Sequence, residues 1–148
     1  MSMITSVTAI GGLLGLIVSL VFLAVQTRAV SKQVAASNNL AGTQSLDHTF
    51  AGLREIHFKM LEYPGVRAYF YEGHPLPTQE PDRERVLIIA DSLADVLDSG
   101  IQVTRRIPQN ESEEDWASYC RYLLERSPTL RAVVSEHPKW WPDLAALS

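Results

Sequence analysis

This sequence predicts an all-α chain with one membrane-crossing helix at its N-terminal end. Three observations carry the expectation. No charged side chain occurs from Met1 through Thr27. Beyond that run, apolar residues recur at three- and four-residue intervals, the period of a helix with one buried face. No stretch alternates apolar and polar residues long enough to make a strand.

The N-terminal run decides the topology. Val7 to Val25 is a series of 19 apolar, small or hydroxylic residues. A helix rising 1.5 Å per residue needs about 20 such residues to cross a ~30 Å hydrocarbon core. A core helix of a water-soluble domain would normally carry a polar stripe, and this run has none. Its glycines and hydroxyls are compatible with lipid, because hydroxyls bond back to the preceding turn. A cleavable secretion signal is a poorer fit. The segment before the apolar run has no Lys or Arg, the run is long, and neither Phe22-Leu23-Ala24 nor Thr27-Arg28-Ala29 offers a good small-x-small site. Arg28 and Lys32 come directly after the span, so the rule that basic residues stay inside puts the N-terminus outside and the C-terminal part in the cytoplasm, at the inner membrane. The single cysteine, Cys120, permits no internal disulfide and agrees with a reducing compartment. Gly11 and Gly15, four apart, share a helix face with Ser19 and are the residues expected to pack this span against another helix.

Three segments are expected: a transmembrane helix over residues 1–28, an amphipathic connecting helix over 29–63, and a cytoplasmic helical bundle of about four to five helices over 64–148. Val25, Val30, Val34, Leu46, Phe50, Leu53, Met60 and Leu61 keep the helical period through the second segment. Ser37-Asn38-Asn39 and Gly42 weaken it, so a kink near 38–42, or two helices joined there, is an alternative to one continuous helix. Pro64 ends the run. A short helix is expected over Gly65 to Glu72, and Gly73-His74-Pro75-Leu76-Pro77-Thr78 is a loop. The clearest soluble helix comes next, with Thr78 or Glu80 capping, Pro81 in the first position, and Asp82 and Glu84 at the positive end. Its stripe of Val86, Ile89, Ala90, Leu93, Leu97 and Ile101 points inward, and it ends near Arg106. Ser112 caps the next helix, whose face is Trp116, Tyr119, Cys120, Leu123 and Leu124. Ser127-Pro128 is a further cap with a first-turn proline, leading a short helix through Leu130, Val133 and Val134 to His137. Pro138-Lys139-Trp140-Trp141-Pro142 forms an aromatic corner before one last turn.

Composition excludes more than it suggests. The 148 residues are 46% hydrophobic and 20% charged, with a formal charge of -4 and 13 scattered basic residues. Nucleic acid is therefore not an expected partner, since binding a polyanion needs clustered Lys and Arg. Phosphate-cradling glycine loops, nucleotide fingerprints and nucleophile-base arrangements are missing, so the sequence supports neither an enzyme nor a cofactor. Asp91, Asp95 and Asp98 share a helix face and form the one carboxylate set with metal-binding potential. That face lies opposite the Leu93–Leu97 stripe, so a solvated surface is the expectation. His57 falls on the apolar side of its helix, where a hydrogen-bonded core histidine is the default. Cys120 is expected to be a buried, inert thiol.

Aromatic residues and Arg dominate binding surfaces. Tyr71, Arg131, Trp140 and Trp141 are accordingly the expected partner-binding residues, with a protein partner or a second copy as the occupant. The alternative for the tryptophans is that one closes the bundle and the other packs on its rim. A small-ligand sensor with a site between helices near His57 and Cys120 is the competing class of function, and a membrane-associated enzyme holding metal on the Asp91, Asp95 and Asp98 face is the third alternative.

The layout resembles a group of bacterial single-pass membrane proteins with a C-terminal helical domain of unknown function. The shared features are a span running into "AVQTRAVSKQVAASN", a "LEYPGVRAYFYEG" turn, a long helix, "EEDWASYCRYL", and a terminal "P-x-L-R…W-W" corner. The resemblance implies the same span-and-bundle topology and carries over no catalytic residue.

Overall fold

The computed structural model describes the backbone of residues 2–107 and 112–148, and the side chains of residues 11–107 and 113–148. Its described residues are helical with no strand: α1 (Ser2–Glu62), α2 (Ala68–Tyr71), α3 (Asp82–Arg106), α4 (Ser112–Arg126), α5 (Pro128–Glu136) and α6 (Pro142–Ala145). The chain divides into two compact units, Met1–Leu40 and Ala41–Ser148.

The first unit is helix alone. α1 contains one stretch long and apolar enough to cross a membrane, with a mean hydropathy of 2.0 and none of it buried. Two of its described hydroxyls bond back to the preceding turn: Ser19 Oγ donates to the Gly15 carbonyl at 2.9 Å and Thr27 Oγ1 to that of Leu23 at 2.8 Å. Ser37-Asn38-Asn39 and Gly42 all lie within α1, so the chain does not split into two helices there.

The second unit takes in the last third of α1. Ile56 and Met60 of that helix join a core made by Phe70, by the α3 stripe, and by Trp116, Cys120, Leu123, Leu130, Val134, Trp141 and Leu144. All six expected stripe residues of α3 are buried, and α3 is the central element, packing on α4, α5 and α6. Its 25 residues fit the caps and dipole signals at both ends. One detail differs: Pro81 is the N-cap rather than the first helical residue, and the Glu80 carboxylate accepts the Glu84 N–H at 2.9 Å. The acidic side chain thereby satisfies one of the orphan donors of the first turn.

The helix expected over Gly65 to Glu72 is shorter, Ala68–Tyr71. Gly65 adopts φ +89°, a left-handed turn that interrupts the backbone just after Pro64 and postpones the helix. At the α4–α5 junction the expectation holds. Ser127 Oγ accepts the Leu130 N–H at 3.0 Å and donates to the Tyr69 carbonyl at 2.8 Å, so one hydroxyl caps α5 and ties it to α2. The fragment from Pro108 through Glu111 lies outside the described residues, and so does the capping side chain of Ser112.

Candidate functional site

The aromatic corner separates two neighbouring tryptophans. Trp141 is 3% exposed, and its indole Nε1–H donates to Asp95 Oδ1 at 2.6 Å. Trp140 is 64% exposed and stacks on the His137 ring at 3.9 Å between centroids, with its plane 10° from parallel. One tryptophan therefore closes the core and the other packs on the rim. Arg131 lies exposed on α5. Of the four residues expected to meet a partner, Trp140 and Arg131 present accessible surface, while Trp141 and Tyr71 are engaged inside the fold.

Of the three α3 carboxylates expected on a solvated face, Asp91 and Asp95 are exposed and Asp98 alone is buried. Asp98 is 5% exposed, accepting the Leu144 N–H at 2.9 Å through Oδ1 and the Gln102 amide at 2.9 Å through Oδ2. Asp95 holds Trp141. The two act together as a latch for the C-terminal turn, because that turn brings a backbone N–H and an indole N–H to α3, where burial demands that each be paired. Asp91 stays exposed, with its carboxyl raised above the usual range by burial and then by the Asp95 charge. Among the described residues no group of three or more His, Cys, Asp or Glu side chains is placed to hold a metal ion.

A second polar cluster joins α1, α2 and α4. Tyr71 Oη lies 2.7 Å from His57 Nε2 and 2.7 Å from Tyr119 Oη, forming a half-buried chain of three groups. The Arg67 guanidinium sits 4.4 Å from the centroid of the Tyr71 ring. His57 is the hydrogen-bonded, partly buried histidine that its helix face suggested. Burial, then the Arg67 charge, lowers its pKa from the ordinary 6.5. Burial raises both Tyr71 and Tyr119. Sequence reasoning missed Arg67, although its four-residue spacing from Tyr71 on a helical turn is the available signal.

Cys120 is fully buried, and burial followed by the Asp98 charge pushes its thiol up to about 12. Such a thiol is neutral at physiological pH and is no nucleophile. Gly11 and Gly15 stand open, with no atom within 4 Å of a Cβ built on either.

Comparison with known proteins finds no matching family model, no similar curated protein and no similar solved structure. Fold and site define an all-α protein with one apolar helix near the N-terminus. Its functional reading therefore rests on its own geometry.

Proposed function

We propose that this chain is a single-pass, membrane-anchored helical interaction module, a scaffold, anchor or accessory subunit held at the cytoplasmic face of an inner membrane. One observation carries the reading. Between Leu13 and Val25, ten large apolar side chains are 48–67% exposed, with no cover from the other described residues. Removing that surface from water is worth on the order of 10 kcal/mol, which a hydrocarbon core supplies. The unit from Ala41 to Ser148, by contrast, buries a core of its own, as a small tethered bundle should.

Arg28 and Lys32 at the end of the apolar run favour an N-terminus outside and a cytoplasmic C-terminal domain. The open faces of Gly11, Gly15 and Ser19 would admit another helix within the membrane. Trp140 and Arg131 supply the accessible aromatic and guanidinium surface for a protein partner or second copy, and Trp141, which meets Trp140 edge-on and is held by Asp95, would fix the corner that presents it. Confinement to a membrane raises the effective concentration for any partner in the same membrane.

Fractionation of the full-length chain tests the anchor. It should sediment with membranes, resist alkaline carbonate and enter solution only with detergent, with an intact N-terminal mass. Recovery in the aqueous supernatant, or a chain trimmed after Ala29, would overturn the proposal. A reporter fused after Ser148 that is active only in the cytoplasm checks the sidedness.

A further inference from the structure

The interaction reading leaves unused a cleft of about 370 Å3 lined by His57, Met60, Leu61, Arg67, Tyr71 and Tyr119. We infer that this cleft binds a small aliphatic monocarboxylate. The carboxylate would sit on the Arg67 guanidinium beside the His57–Tyr71–Tyr119 hydrogen-bond chain, and the apolar arm against Met60 and Leu61.

Arg67 is prepared for an anion. Its guanidinium is held on the Tyr71 ring, and its charged contact among the described residues is a 3.5 Å approach to Glu72, with both side chains more than half exposed. A guanidinium carries five donors in a fork that matches a carboxylate. A single long contact leaves most of that fork available.

The hydrogen-bond chain supplies the second partner. Three groups linked by two bonds can order their protons in more than one way, and two of these orders run in a single direction along the chain. Where Tyr119 donates to Tyr71 and Tyr71 to His57, both hydroxyl protons are used. Where His57 Nε2–H donates to Tyr71 and Tyr71 to Tyr119, the Tyr119 proton has no acceptor left in the chain. An anion in the cleft accepts that proton and so selects the second order, in which the imidazole is a donor.

Size and charge narrow the ligand. Ligand cavities run from roughly 300 to 1,000 Å3, so this one takes a small molecule. Among the described residues of the lining, Arg67 is the only arginine or lysine, which suits a monoanion better than a phosphate dianion. Around His57 stand Arg67 with its partner Glu72, Tyr71 of α2 and Tyr119 of α4, with Tyr122 acting on Tyr71 from α4. A carboxylate on Arg67 neutralises the charge that disfavours the imidazolium, so binding takes up protons and tightens as pH falls.

The test uses the full chain in uncharged maltoside micelles with isotope-labelled histidine, the His57 resonance being assigned by His57→Gln. Sodium acetate, sodium butyrate, inorganic phosphate and sodium chloride are titrated at constant ionic strength. Butyrate should move the His57 signal saturably, bind more tightly than acetate, and raise the His57 titration midpoint, leaving His74 and His137 in place. Arg67→Gln should weaken butyrate by roughly tenfold, Arg67→Lys should recover part of it, and Glu72→Gln should tighten it by removing the internal competitor. The backbone spectrum of each variant checks that the fold is intact, and a variant that loses it is replaced by the Glu72→Gln comparison. His57 moving no more than His74, equal affinity in Arg67→Gln, or a response to phosphate without one to butyrate would each overturn the assignment.

Discussion

Gly100→Ala sets two physical effects against each other. On an isolated helix the change gains about 1 kcal/mol, because alanine loses less backbone entropy. In this fold a Cβ at Gly100 falls within the ring of Trp116, overlapping Cε2, Cζ2 and Nε1. Carbon atoms settle about 3.5–4.0 Å apart, so the indole or the helix has to move by more than an ångström. The indole has little room to move. It is 6% exposed, donates its Nε1–H to the Leu97 carbonyl at 3.0 Å, and stands edge-on to Phe50 at 5.6 Å.

Shifting it breaks that hydrogen bond and strands a buried N–H, a cost of about 1–3 kcal/mol. Overpacking adds about 1–3 kcal/mol more. After subtracting the propensity gain, the net loss is about 1–5 kcal/mol. For a unit of this size that lowers the melting temperature by about 5–25 °C. Circular dichroism melts of the detergent-solubilised chain read it directly. In a Trp116→Leu background the overlapping atoms are gone, and the same Gly100→Ala change should cost less than about 1 kcal/mol. A Gly100→Ala protein that melts at or above the parent temperature would show that helix propensity, not the Trp116 contact, governs the position.

Ser127→Ala removes both the α5 cap and the donor to Tyr69, and should destabilise by about 1–3 kcal/mol in the same melts. Asp95→Ala leaves the Trp141 indole N–H without its acceptor, so melting should fall while the far-ultraviolet spectrum keeps its helical form. Native protein at pH 8 should leave Cys120 unmodified by iodoacetamide, and unfolded protein should take one adduct by mass spectrometry; rapid native alkylation would contradict its burial. The pH response of His57 comes from its lowered pKa. Near and below pH 6.5 the unfolded chain binds a proton that the folded chain resists, so stability falls with acidification from about 7 toward 5. His57→Gln should flatten that part of the profile, and an unchanged slope would remove His57 as its source.

The helices were legible because their signals are local. The stripe on α3, the Ser127-Pro128 cap and the proline ends each occupy a few consecutive turns, where side-chain period and backbone chemistry act over neighbouring residues. The start of α2 was not, because Gly65 could have continued the turn in either hand and only its neighbours decide the sign of φ. The Asp91, Asp95 and Asp98 series shows a deeper limit. Helical spacing correctly placed the three carboxylates near one another. It said nothing of the donors that reach two of them, because Trp141 and Leu144 are each 46 residues further along the chain.

The tryptophan pair carries the same lesson into the candidate site. Adjacent residues of one type have opposite fates, one 3% and the other 64% exposed, so composition alone could not assign them. The backbone does. Trp141 is the N-cap of α6 with φ -129° and ψ 66°, neither helical nor extended, and its indole is bonded to Asp95, while Trp140 lies on the preceding turn against His137. A carboxylate on α3 therefore determines which aromatic ring is presented to solvent. Exchanging Asp95 for a residue that cannot accept a hydrogen bond strands the Trp141 N–H, so the buried placement of that ring loses part of its support although no residue of the corner itself has been altered.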